Sequence, residues 1–186
     1  MEEDIKQALA CLRSGGIILY PTDTIWGIGC DATNAKAVER VFDLKKRAGS
    51  KSVIVLVGSE AAMERVADDI PEVAWQLAEV AARPLTLVLP RGRGVAPGVL
   101  GPDGTIAVRI PDDDFCRELC RRFRRPLVST SANVSGTPAA ACFTDISPEI
   151  IEGVDYVVSH RRDDDCRGRA SDIIKVGDGG LVEIIR

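Results

Sequence analysis

The chain has one histidine in 186 residues, His160, so any Ser-His-Asp or Cys-His hydrolase scheme has a single candidate base, in a hydrophilic segment. No G-x-x-x-x-G-K-[ST] phosphate loop occurs, so a nucleotide would have to be held in some other way. No apolar run is long enough to cross a bilayer. The first residues, MEEDIKQALACLRSGG, have neither the basic nor the apolar region of a secretory signal. No C-x-x-C pair is found among the six cysteines, and with one histidine they make a poor zinc set. A cytoplasmic protein with reduced thiols and no membrane association is therefore expected. Cys116 and Cys120 lie four apart on one helical face, where packing as small hydrophobes outweighs a two-thiol site. A net charge of −4 argues against a wholly basic nucleic-acid-binding surface. Local basic clusters remain, at Arg117 to Arg125 and at Arg161 to Arg169. They suit either phosphate or an ordinary solvated helix end.

What is present is an alternation of short apolar strands with amphipathic helices. Ile5, Ala8, Leu9 and Leu12 form one helical face over residues 3 to 14, which Gly15-Gly16 ends. Strands are expected at 17–20, 53–57, 85–89, 105–110, 127–130, 156–158, 172–176 and 181–185. Helices should start at the caps Asn34, Ser59, Pro71 and Asp112. Asp178-Gly179-Gly180 signals a closing hairpin. The long Gly/Pro segment from Arg91 to Gly104 has the length of a lid loop. No internal repeat or linker divides the chain. One α/β domain spanning residues 1–186 is expected, with a twisted mixed parallel/antiparallel sheet and packed helices.

Three groups of polar residues bear on function. In LYPTDTIWGIGCDA, an apolar strand stops at Pro21, and Thr22, Asp23 and Thr24 follow at the strand end, where α/β sheets bind ligands. An ordinary polar turn would read the same way. Lys45, Arg47 and Lys51 place three cations within seven positions. They suit a polyphosphate, although the first two also complement a helix C-terminus. Ser129, Thr130, Ser131 and Asn133 follow another strand directly, as ligand groups or as a self-bonded turn. If the strands ending near 21, 110 and 130 are neighbours, Thr22, Thr24, Arg109, Ser131 and Asn133 share one cleft. Gly27-x-Gly29-x-x-Ala32 fits the loose dinucleotide pattern, but the glycines come late after the strand and no acidic residue closes a second strand at the expected interval.

Five ordered motifs, YPTDTIWGIGCDA, KKRAGSKSVIVLV, RPLTLVLP, TIAVRIPDDDF and PLVSTSANVSGTP, resemble the threonylcarbamoyl-AMP synthases, the YrdC-like family. The resemblance covers essentially the whole chain. It implies synthesis of threonylcarbamoyl-AMP and pyrophosphate from L-threonine, bicarbonate or CO2, and ATP, by a nucleotidyltransferase serving N6-threonylcarbamoyladenosine formation in tRNA. It also implies Mg²⁺ carried mainly on the phosphates and hand-over to the tRNA threonylcarbamoyl-transfer machinery. Carried over residue by residue, the catalytic set is Lys45, Arg47, Ser131 and Asn133. Threonine falls to Thr22, Thr24, Arg109 and Ser171, and ATP to Lys45, Arg47, Lys51, Ser129, Ser131 and Asn133; no protein metal site is implied. The chain departs from the family pattern at Ala48, at Lys51-Ser52, at Ala82-Arg83-Pro84 and at Lys175. The competing readings are a non-catalytic module binding tRNA, rRNA or other double-stranded RNA through the same basic cleft, and a nicotinamide dehydrogenase using Gly27 and Gly29.

Overall fold

A computed structural model describes residues 1–46, 53–164 and 168–186. Nine strands are joined in one sheet: β1 (Ile18–Tyr20), β2 (Gly27–Gly29), β3 (Ile54–Leu56), β4 (Leu85–Leu89), β5 (Ile106–Arg109), β6 (Leu127–Ser131), β7 (Tyr156–Val157), β8 (Asp172–Val176) and β9 (Val182–Ile184). Their order is β7-β1-β2-β6-β3-β5-β4-β8-β9, with parallel pairs β1/β7, β3/β5 and β4/β8 and antiparallel pairs elsewhere. The helices are α1 (Glu2–Arg13), α2 (Ala35–Leu44), α3 (Glu60–Met63), α4 (Glu72–Val80), α5 (Asp114–Phe123) and α6 (Pro148–Gly153). This is the mixed α/β architecture the sequence pattern predicts.

Residues opposite one another in a ladder project to the same side, so the registers sort the sheet into two faces. Leu19, Ile28, Val55, Leu87, Val108 and Val128 lie on one face and join the larger apolar cluster, with Ala37, Val38 and Val41 of α2. The pairs Gly27↔Ser131, Ile54↔Ser129 and Leu56↔Arg109 define the other face. Part of that second face is roofed by α1 and α5. Their stripes, Ile5, Ala8, Leu9, Leu12 and Phe115, Leu119, Phe123, cover Ile18, Tyr20, Leu56 and Leu127. The uncovered part carries the polar residues. Asp4 fastens α1 to the exit of β7 by accepting from the Ser159 N–H (2.7 Å) and the Tyr156 hydroxyl (2.9 Å). Burial raises its pKa, but these bonds together with the N-terminus and His160 outweigh that and hold it below the usual value.

Several local expectations are corrected. Gly27–Gly29, outside the expected strands and within the loose dinucleotide pattern, is strand β2, paired with β1 and β6. That position inside a sheet removes the strand-to-helix turn a dinucleotide fingerprint requires. The cap of α5 is Asp113, whose carboxylate accepts from the Cys116 N–H at 2.8 Å, and not Asp112. The Arg91–Gly104 segment is packed into the fold. Its Val99 is fully buried, Gly92 N–H bonds to Gly104 O, and Ala96 N–H bonds to Ala32 O.

Gly29 is sterically required. A Cβ there would stand 2.7 Å from the Val128 carbonyl oxygen and 2.8 Å from the Tyr20 ring. Gly29→Ala should destabilise the protein by about 1–3 kcal/mol, the usual cost of overpacking, measured as a lower urea midpoint at unchanged m-value.

Candidate active site

On the uncovered part of the second face, Thr22, Thr24, Arg109, Ser129, Ser131 and Ser171 line one cavity of 270 Å³, with Ile25, Trp26, Val53, Ile54, Ile173 and Arg186 among its other walls. That volume lies just under the range of drug-sized ligand sites and suits an amino acid or part of a nucleotide. The site is on a sheet face and not on a rim of strand ends: β5 and β6 run in opposite directions, so Arg109 and Ser131 cannot share an edge. Side chains from one face replace the expected cluster of strand termini.

Arg109 is the electrostatic centre. Its side chain is 3% exposed and lies on the face opposite Val108 and the larger apolar cluster. Its Nη1 donates to Thr24 Oγ1 at 2.9 Å and stands 3.3 Å from Asp23 Oδ1, while buried Nε finds no acceptor among the described residues. The Thr22 and Thr24 hydroxyls are 2.8 Å apart, and Thr22 Oγ1 also takes the Thr24 N–H at 3.0 Å and donates to the Ile25 carbonyl at 2.8 Å. This turn therefore exhausts most of its own bonding to become rigid. Ser171 Oγ pairs with Thr86 Oγ1 at 2.8 Å, and the Ser171 carbonyl accepts from Arg186.

Lys45 and Asn133 are brought together at the far side of Ser131, though neither is among the cavity walls. The Lys45 ammonium donates to the Ser131 carbonyl and, at 2.6 Å, to the Asn133 carbonyl. In return the Lys45 carbonyl accepts the Ser135 N–H at 2.8 Å. Asn133 Nδ2 donates to the carbonyls of Val134 and Thr137, at 3.1 and 2.6 Å. The K-x-R lysine is thus 3% exposed and organises the S-x-N loop through its backbone. Arg47 and Lys51 lie outside the described residues. Sequence reasoning missed Arg186, which follows the last strand with no motif around it to mark it.

The remaining candidates resolve into structure. Arg117, Arg121, Arg122, Arg125 and Arg161 pair with Asp112, Glu118, Glu2, Asp31 and Asp113. Arg162 lies over the Phe143 ring and donates to the carbonyls of Val157 and Val158. Arg167, from the second cluster, lies outside the described residues. His160 stacks on Phe115. Burial pushes the Cys120 thiol up to about 12 and Cys116 well above its usual value, so neither is a thiolate near neutrality.

A family model described as "Telomere recombination", for Sua5, YciO and YrdC, matches residues 10–186, and the chain belongs to this Sua5/YciO/YrdC family. The Vibrio cholerae threonylcarbamoyl-AMP synthase is 36% identical over 159 residues, 84% of this chain and 85% of its own. The synthase of Stenotrophomonas maltophilia is 38% identical over 161 residues, 84% of this chain and 86% of its own. P. abyssi Sua5 complexed with L-threonine superposes with a TM-score of 0.87 at 29% identity, covering 100% of this chain and 54% of that one. This chain thus spans about half the length of that protein. E. coli YciO, at 21% identity and a TM-score of 0.86, shares the fold.

Lys45→Met keeps the buried stem and removes the donor. We expect a stability loss of about 1.5–3 kcal/mol, typical of charged hydrogen bonds, and faster amide exchange at Ser135 and Thr137 with α1 unaffected.

Proposed function

We propose that this chain is an L-threonylcarbamoyladenylate synthase, a nucleotidyltransferase that joins L-threonine, bicarbonate or CO2, and ATP into threonylcarbamoyl-AMP and pyrophosphate for tRNA N6-threonylcarbamoyladenosine formation. The observation that carries this reading is the buried guanidinium of Arg109 at the wall of a hydroxyl-lined cavity of amino-acid size. An unsatisfied buried donor costs about 1–3 kcal/mol, which a substrate carboxylate would relieve. Arg109 is assigned that carboxylate. Thr22, Thr24 and Ser171 line the amino-acid site beside it.

The chemistry needs no enzyme nucleophile. Threonine's amine attacks CO2, loses a proton to solvent and becomes a carbamate. A carbamate oxygen then attacks the α-phosphorus of ATP, a new P–O bond forms, and the bond to the β-phosphate bridging oxygen breaks to release pyrophosphate. Positioning and charge stabilisation suffice. Ser129 and Ser131 face the cavity and are assigned to the reacting phosphate and carbamate oxygens, with Lys45 and Asn133 holding the Ser131 loop behind them. Arg47 and Lys51 are assigned to the outer phosphates. The described walls of the cavity include no carboxylate, so they do not fit a protein-held Mg²⁺; the ion is assigned to the ATP phosphates. Its substrates place the enzyme in the cytoplasm, where the labile product passes to the tRNA threonylcarbamoyl-transfer machinery.

The test is pyrophosphate release. It should require ATP, bicarbonate and threonine together, and release that persists without threonine would overturn the assignment. Serine lacks one methyl group, and such a difference is worth about 1–3 kcal/mol, so kcat/KM for serine should fall by roughly 10- to 200-fold. Arg109→Ala should raise the threonine KM while leaving the ATP KM within about twofold, as loss of a substrate-binding contact predicts.

A further inference from the structure

We propose, building on the threonine-site reading above, that Asp23 is a positioning residue for Arg109, fixing which edge of the guanidinium is offered to the substrate. Asp23 is not a wall of the 270 Å³ cavity; it lines another one, with Trp75, Ile110 and Asp112. Its side chain is 6% exposed. One carboxylate oxygen accepts the Asp112 N–H at 3.1 Å, which ties the Thr22–Thr24 turn to the segment just beyond β5. The other stands 3.3 Å from Arg109 Nη1, and that same nitrogen donates to Thr24 Oγ1.

The consequence lies in the geometry of the guanidinium fork. Nε and Nη2 form one edge and can grip a carboxylate with two parallel N–H bonds. Among the described residues, every partner of Arg109 is on Nη1, and the Nε–Nη2 edge has none. Thr24 therefore holds Nη1 by a hydrogen bond and Asp23 draws it by charge, its Oδ1 making no hydrogen bond among the described residues, so both act on the side of the fork that is not needed and leave the bidentate edge unengaged. Asp23 also supplies the counter-charge that lets the cation be buried before substrate arrives. Thr24 alone, a neutral acceptor on one nitrogen, would leave the charge uncompensated and nothing to draw Nη1 away from the cavity side.

Asp23→Asn keeps the shape and an acceptor for the Asp112 N–H but removes the charge. Pyrophosphate release and threonine calorimetry are measured on the purified full-length chain, with ATP and threonine varied separately. The threonine KM and Kd should rise about tenfold or more, as when a buried partner of a charged group is neutralised, while the ATP KM stays within about twofold. In an Arg109→Gln background the Asp23→Asn change should add nothing to the threonine KM, because Asp23 acts through the guanidinium. Should Asp23→Asn fail to fold by circular dichroism, Asp23→Glu retains the charge but displaces the carboxylate. It should still raise the threonine KM several-fold at unchanged ATP KM. An unchanged threonine KM in the folded variant, equal rises for both substrates, or additive effects with Arg109→Gln overturn the proposal. A wild-type protein that releases no threonine-dependent pyrophosphate instead defeats the functional reading, which separates the two failures.

Discussion

A cation buried in the face of a sheet is the constraint around which this molecule is arranged. Arg109 belongs to β5, a strand flanked on both sides by other strands, and its side chain is almost wholly buried, open only toward the cavity it lines. Isolated burial of such a charge would be prohibitive, so the fold delivers an anion, Asp23, and a neutral acceptor, Thr24 Oγ1, to the same place. It does so from the chain between β1 and β2, remote in sequence, which arrives with Asp23 and Thr24 already stiffened by its internal hydroxyl bonds. The apolar roof of α1 and α5 stops short of this point. One face of a single sheet is thereby divided into a packed half and a reactive half.

The second set of motif residues meets the first through a backbone device. Lys45 closes α2 and grips two carbonyls of the Ser131–Asn133 loop, while the loop returns one N–H to Lys45. The reciprocal arrangement sets where β6 ends and where its last hydroxyl stands. A lysine that forms no part of the cavity wall thereby acts on the loop that does.

Much of this was legible in the order of residues. Helical stripes, buried strands and the Asn34 and Ser59 caps follow from local rules that tertiary packing only reinforces. The hydroxyl groups stood out in the sequence as well, though an ordinary polar turn reads the same way there, and only the fold shows Thr22, Thr24, Ser129 and Ser131 lining one cavity. Features created by partners far away were not legible. β2 is three residues with two glycines, and it is a strand only because β1 and β6 offer it ladders on both sides. The antiparallel setting of β5 against β6 decides that the site lies on a face, and nothing local encodes it. Asp112, Asp113 and Asp114 are equivalent as caps on paper, and the path of the chain selects the second. Likewise the arginine clusters lose their apparent freedom only when Glu2, Asp31 and Asp113 fold back onto them.

The two glycines of β2 divide labour in a way that bears on how such a site diversifies. At Gly29 the neighbouring backbone leaves no room, so the fold itself forbids a side chain. Gly27 also lines the cavity, yet a methyl there would meet its nearest neighbours at ordinary distances of 3.4–3.6 Å. The hollow is partly the volume of a side chain that was never installed. Enlarging that one position would trim the space for a guest at little architectural expense, which makes it a natural dial for selectivity during divergence.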